Sequence, residues 1–119
     1  MAKTILVVDD DERDRNDMVN ILKEAKYSVD SASNGIDALE KVSAKKPDLI
    51  LLDIKMPTLS GYDLLVLLRE RLNGTLKIVY VSILNKNKVD LDKVDGFIQK
   101  PYDKRSLLDG VKRVIGGSK

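Results

Sequence analysis

Asp48-Leu49-Ile50-Leu51-Leu52-Asp53-Ile54-Lys55-Met56-Pro57 is the stretch whose reading decides the fold. Its apolar centre reads as the central strand of a sheet. Asp53 then stands at the carboxyl end of a buried strand, a carboxylate presented to solvent on a rigid mount. Three other runs end the same way. Ile5-Leu6-Val7-Val8 leads into Asp9-Asp10, Ile78-Val79-Tyr80-Val81 into Ser82, and Phe97-Ile98-Gln99 into Lys100-Pro101. In an open parallel sheet these ends share one edge, and ligands bind there. The expectation is one acidic site with a hydroxyl and an ammonium beside it.

Helical patterns lie between the strands. Asp10 or Asp11 can cap a first helix, with Met18, Ile21, Leu22 and Ala25 on one stripe and an end near Lys26. Acidic residues in its first turn suit the helix dipole. Tyr27 to Ala32 alternates, as expected of a strand nearer an edge. Asn34-Gly35 reads as a turn, and Ile36, Leu39 and Val42 as the buried face of a second helix that Pro47 closes. Ser60 caps a third helix with Leu64, Leu65, Leu68 and Leu72 facing in, ended by Asn73-Gly74. Asp103 caps a last helix that buries Leu107, Leu108, Val111, Val114 and Ile115. Gly116-Gly117 ends it, with Ser118-Lys119 as a tail. Strands alternating with helices imply βαβ units with helices on both faces. The fold class is α/β: a doubly wound, five-stranded parallel sheet of order 2-1-3-4-5. No internal repeat or linker divides the 119 residues, so a single domain over 1–119 is expected.

Bulk composition narrows the chemistry. With 21 basic and 19 acidic residues, the formal net charge is +2, too balanced for a nucleic-acid surface. Lys86, Lys88 and Lys93 are diluted by Asp90, Asp92 and Asp95. Cysteine and histidine are both absent, which removes disulfides, thiol nucleophiles, the usual zinc ligands and the usual general base. No apolar run is long enough to span a bilayer, and Met1-Ala2-Lys3 leads straight into a strand. The expected protein is cytoplasmic, without a membrane or nucleic-acid partner.

Asp9, Asp10 and Asp53 at one edge repel each other. They stay ionised together only around a cation, or else one takes up a proton. Oxygen ligands select a hard ion, Mg²⁺ or Mn²⁺, and the backbone carbonyl of Lys55 is a further candidate ligand. Asp53 is then a candidate nucleophile toward phosphorus, with Lys100 pairing to a phosphate oxygen and Ser82 donating a hydrogen bond. Each residue also has a plainer reading. Asp10 or Asp11 serves as a helix cap, Asp53 as a turn residue, Ser82 as a strand end and Lys100 as a surface lysine. The alternation of strands and helices nevertheless places all of them on one edge, which the plainer readings leave to coincidence.

Leu6-Val7-Val8-Asp9-Asp10, Asp48 to Asp53 with Met56-Pro57 and Gly61, Ser82, and Lys100-Pro101 together resemble the receiver domain of two-component response regulators. The resemblance runs from Ile5 to Ile115 and implies a flavodoxin-like sheet. It implies that Asp53 is the phosphoacceptor, that Asp10 binds Mg²⁺ directly and Asp9 through water, and that Lys55 adds its carbonyl. It implies Ser82 as the switch hydroxyl, Lys100 as its partner at the phosphoryl group, and Phe97 as an aromatic rotamer switch, although Phe97 also reads as a core residue. The implied partners are a sensor histidine kinase or phosphotransfer protein and a downstream protein target. The implied chemistry is phosphorylation of its own Asp53 and hydrolysis of that phosphate.

Two other readings compete. One is a receiver-like binding module that has abandoned phosphate, against which the complete set Asp9, Asp10, Asp53, Ser82 and Lys100 argues. The other is an Asp-nucleophile phosphatase, for which no segment is left to build a substrate pocket. The chain also departs from the family pattern twice. Ile83 stands where a small residue is usual and is expected to crowd the approach to Asp53. The span from Ser82 to Lys100 is short by about one helical turn, so the fourth of the usual five helices is expected to be truncated or missing.

Overall fold

A computed structural model describes residues 2–72 and 76–117. Its strands are β1 (Thr4–Val8), β2 (Ser28–Ala32), β3 (Leu49–Leu52), β4 (Lys77–Ser82) and β5 (Gly96–Gln99). Its helices are α1 (Glu12–Glu24), α2 (Gly35–Ala44), α3 (Gly61–Leu72) and α4 (Lys104–Ile115). All neighbouring strands pair in parallel, in the order β2-β1-β3-β4-β5. The expected flavodoxin-like sheet is therefore present. Among the described residues, no helix is long and apolar enough to cross a membrane.

Successive strand residues face opposite sides, and both sides are covered. Leu6, Val8, Ile50, Leu52, Ile78 and Tyr80 pack with Ala38 and Val42 of α2 and with Leu64, Leu65 and Leu68 of α3. Ile5, Val7, Leu49, Leu51, Val79 and Val81 pack with Met18 and Leu22 of α1 and with Leu107 and Val111 of α4. Burial on both faces is why the strands are apolar without alternation.

Two local expectations need correction. The buried stripe of α2 runs through Gly35, Ala38 and Val42, with Leu39 partly buried. Ile36 lies off that stripe and is 60% exposed. Three- and four-residue steps put Ala38 and Val42 on one side, and a large side chain does not displace them. Asn34 is not simply a turn residue: it caps α2, its Oδ1 accepting from the Asp37 N–H at 2.8 Å. The first helix ends at Glu24, with Lys26 at φ 75° just after it. The expected stop of α3 at Asn73-Gly74 and the tail Ser118-Lys119 lie outside the described residues.

Between β4 and β5, where the chain was short, there is no crossover α-helix. Lys86–Lys88 forms one 3₁₀ turn, capped by Asn85. Val89 is buried, and Leu84, Leu91 and Val94 are partly buried on the α2–α3 side. Arg69 of α3 holds this segment down. Its guanidinium donates to the Lys93 carbonyl at 2.7 and 3.1 Å, to the Leu76 carbonyl, and to Asp95 at 3.2 Å. Asp95 also accepts from the Ile78 N–H at 2.9 Å. One cation thus satisfies the Lys93 carbonyl, which a helix would have satisfied internally, and pairs with Asp95 at the start of β5.

Arg69→Ala is expected to destabilise the protein by about 2 kcal/mol, the scale of hydrogen bonds from a charged donor. Urea unfolding measures this. A loss below about 0.5 kcal/mol, the range of an inert surface change, would show that the segment holds itself in place.

Candidate functional site

Register builds the site. Val8 pairs with Leu52 and Leu52 with Tyr80, while Ser82 pairs with Gln99. The next residues, Asp9, Asp53 and Lys100, therefore emerge along one edge with Ser82. Backbone bonds fix each exit. The Asp53 N–H donates to the Val8 carbonyl at 2.9 Å, and the Asp9 N–H to the Ala32 carbonyl at 3.1 Å. The Ser82 carbonyl accepts from the Lys100 N–H at 2.8 Å. It also accepts from Gln99 Nε2 at 3.0 Å.

Gly61 sets the depth of the edge. A Cβ there would stand 2.3 Å from the Asp53 carbonyl oxygen, so only glycine lets α3 begin this close to the end of β3. The Gly61 N–H closes the loop by donating to the Ile54 carbonyl at 2.8 Å. Ser60 caps α3 by accepting from the Asp63 N–H at 3.2 Å. Lys55 is exposed in this loop, two residues past Asp53.

Asp9, Asp10 and Asp53 each bring a carboxylate oxygen to within 4.8 Å of the others. Asp9 is fully buried, Asp53 is 7% exposed and Asp10 faces solvent. Three carboxylates that close form an oxygen-only donor set fitted to a hard divalent cation. Asp11, not Asp10, is the helix cap: its Oδ1 accepts from the Asp14 N–H at 3.0 Å. Asp10 is thereby left to the cluster.

Lys100 is the cation inside this group. Its Nζ donates to Asp9 Oδ2 at 2.8 Å and to Asp14 Oδ2 at 3.0 Å, and lies 4.0 Å from Asp53 Oδ1. Burial disfavours the charged ammonium, but the bonds to Asp9 and Asp14 outweigh it and raise the Lys100 pKa above its ordinary value. Asp53 has no such bond. Burial first, then the charge of Asp9, push its carboxyl up to about 7, with Lys100 opposing.

Ser82 is completely buried, and its Oγ accepts from the Leu84 N–H at 3.1 Å. Ile83, directly after it, is 63% exposed. Phe97 is half-buried, pairs across the sheet with Tyr80, and packs on the α2–α3 side. Tyr80 in turn meets Tyr62 edge-on at 5.7 Å.

Two participants escape sequence reasoning. Asp14 is legible only as an acidic residue in the first turn of α1, yet it holds Lys100. Arg15 donates from its guanidinium to the Asp9 carbonyl at 2.9 Å. The only signal for either is their place in the helix turn that follows the β1 carboxylates.

Comparison with known proteins agrees with this fold. Residues 5–112 match the response regulator receiver domain. The chain is 36% identical over 118 residues to the chemotaxis protein CheY of Halobacterium salinarum, covering 97% of this chain and 98% of that one. It is 33% identical to the regulatory protein PhoP of Bacillus subtilis, covering 97% of this chain but 49% of PhoP. Among solved structures, the response regulator TrrA of Thermotoga maritima, determined with Mg²⁺ and BeF, superposes with a TM-score of 0.86 at 31% identity, covering 94% of this chain and 98% of that one. The signal receiver domain from Bermanella marisrubri gives a TM-score of 0.84 at 36% identity, over 97% and 99% of the two chains. With the match spanning nearly the whole sheet and the acidic edge, this chain belongs to the response regulator receiver domain family.

Proposed function

We propose that residues 1–119 work as one receiver domain in which Asp53 accepts the phosphoryl group. The observation that carries this reading is the buried Asp53 carboxylate, fixed at the end of β3 within reach of Asp9, Asp10 and Lys100. One Asp53 oxygen attacks phosphorus. The bond from phosphorus to the donor breaks, and its electron pair leaves with the donor, either the imidazole of a phosphohistidine or acetate from acetyl phosphate. The product is an acyl phosphate on Asp53. No proton has to be removed if Asp53 reacts as the carboxylate, which accords with a chain that has no histidine.

Mg²⁺ or Mn²⁺, held by Asp9, Asp10, Asp53 and the Lys55 carbonyl, would screen the carboxylates and the incoming charge. Lys100 pairs with one phosphoryl oxygen and Ser82 donates to another. To do so Lys100 turns from Asp14 toward the phosphoryl group, and Ser82 moves with Ile83 and Leu84. Phe97 then fills the space beside β4. Phosphorylation adds about −1.5 to −2 charge at Asp53, enough to reorganise these neighbours. The partners that read and write this state are a sensor histidine kinase or phosphotransfer protein and a downstream protein. The helix-less β4–β5 segment is the surface that changes. A cytoplasmic location fits such partners.

Intact mass after incubation with acetyl phosphate and Mg²⁺ tests the site. A gain of about 80 Da, one phosphoryl group, is expected in the native protein and not in Asp53→Asn or without the metal. Uptake by Asp53→Asn would move the site elsewhere. Ile83→Ala is expected to raise both the rate of uptake and the rate of hydrolysis several-fold, because a β-branched side chain beside Ser82 narrows the approach. Equal rates in both proteins would remove Ile83 from the account.

The carboxylate crowd also predicts a pH dependence. The Asp53 pKa rises from 3.8 unfolded to about 7 folded. Between those values the folded protein holds a proton that the unfolded chain releases. Stability of the metal-free protein therefore falls as pH rises through this window. The expected loss is on the order of 2 kcal/mol, a part of what such a shift would carry for an uncoupled group. It should be absent in Asp53→Asn and reversed by Mg²⁺. Urea unfolding at pH 4.5 and 7.5, with and without the metal, measures it; a native protein that is equally stable at both would contradict the proposed repulsion.

A further inference from the structure

Lys100 has three N–H donors. Two are spent on Asp9 at 2.8 Å and Asp14 at 3.0 Å. The distance to Asp53, 4.0 Å, lies beyond hydrogen-bond range. The ammonium therefore sits on the α1 side of the site. Asp9 is a necessary member of the acidic cluster, but nothing in that cluster requires Asp14.

Asp14 is nonetheless a fixed post. Its backbone N–H is bonded to the Asp11 cap, and the next residue, Arg15, is bonded to the Asp9 carbonyl. The first turn of α1 is thus tied to the end of β1 through Arg15 and through the Asp11 N–H, which donates to Asp9 Oδ1 at 2.9 Å. The Asp14 carboxylate cannot follow Lys100 if the ammonium swings toward Asp53. Of the two bonds, the one to Asp14 is the one that must break, since Asp14 is 43% exposed and its water-accessible carboxylate is released at small cost, whereas Asp9 is fully buried.

Resting on the receiver reading above, we propose that Asp14 is a positioning residue that holds Lys100 back from Asp53 in the unphosphorylated protein. It stabilises the resting arrangement and so weakens the capture of a phosphoryl group. The function of Asp14 is to set the balance between the two states, without touching phosphate or metal. Asp17, one turn further along α1, is the natural comparison: it carries the same charge nearby but accepts from the Tyr102 hydroxyl at 3.1 Å.

Beryllofluoride, a phosphoryl mimic, gives the test at saturating Mg²⁺, with affinity read from amide NMR shifts of Ser82 and Lys100. Asp14→Asn is expected to bind it about two- to fivefold more tightly than the native protein, the scale of an ion pair with one half-exposed partner. Asp17→Asn should bind as the native protein does. Equal tightening by both variants, or by neither, would overturn the proposal, because the effect would then be general charge or nothing. Urea unfolding of native protein, Asp14→Asn, Lys100→Met and the double variant, without metal, asks separately whether the two residues are coupled. Absence of coupling where beryllofluoride binds overturns the Asp14 proposal alone. Coupling in a native protein that takes up no beryllofluoride overturns the receiver reading, and the Asp14 proposal with it.

Discussion

Three carboxylates and one ammonium share the end of a parallel sheet, and their mutual energy is the constraint on which the rest of the structure depends. Asp9 and Asp53 are buried where β1 and β3 end, so neither can escape its neighbour by moving into water. Lys100 relieves Asp9 directly and Asp53 only from 4.0 Å. The site is left with more negative charge than it can comfortably hold. That imbalance raises the proton affinity of Asp53 and leaves a set of carboxylate oxygens suited to a divalent cation, with Lys100 as the counter-charge beside it.

The scaffold has to be rigid for such an imbalance to persist. Strands covered on both faces supply that rigidity, since shifting β1 or β3 would disrupt two cores at once. Gly61 brings the start of α3 against the Asp53 carbonyl, which shortens the loop that carries Lys55. The opposite treatment is seen between β4 and β5. There the chain dispenses with a crossover helix, and one arginine from α3 pins the segment through the Lys93 carbonyl and the Asp95 carboxylate. A receiver surface that is ordinarily helical is here a thin strap beside Ser82, Ile83 and Phe97. Movement of Ser82 would be passed to that strap directly through the chain.

Local patterns carried much of the fold. The apolar runs of β1, β3 and β4 and the caps Asp103 and Ser60 stand where propensity and period place them. Ile36 is not legible as exposed because hydrophobicity alone does not tell which of several apolar residues lies on the stripe; the small Ala38 does so here. The cap at Asn34 is not legible because a turn and a helix cap use the same short polar side chain. The missing crossover helix was legible as a shortfall in length and a poor period. Its replacement by Arg69 was not, since the contacts join residues 24 and 26 apart.

The sequence by itself determined the order of strands, the depth of their burial and the identity of the groups delivered to the edge. Those follow from the alternation of strands with helices, from unbroken apolar runs that need cover on both faces, and from the polar residue that ends each run. Tertiary structure alone decided how those groups divide one positive charge. Lys100 meets Asp9 and Asp14 across 91 and 86 residues of chain, and both are bonded while Asp53 is not. The choice depends on differences of about an ångström between fixed elements. No local pattern encodes that, because it arises only when β1, β3, β5 and the first turn of α1 are packed together.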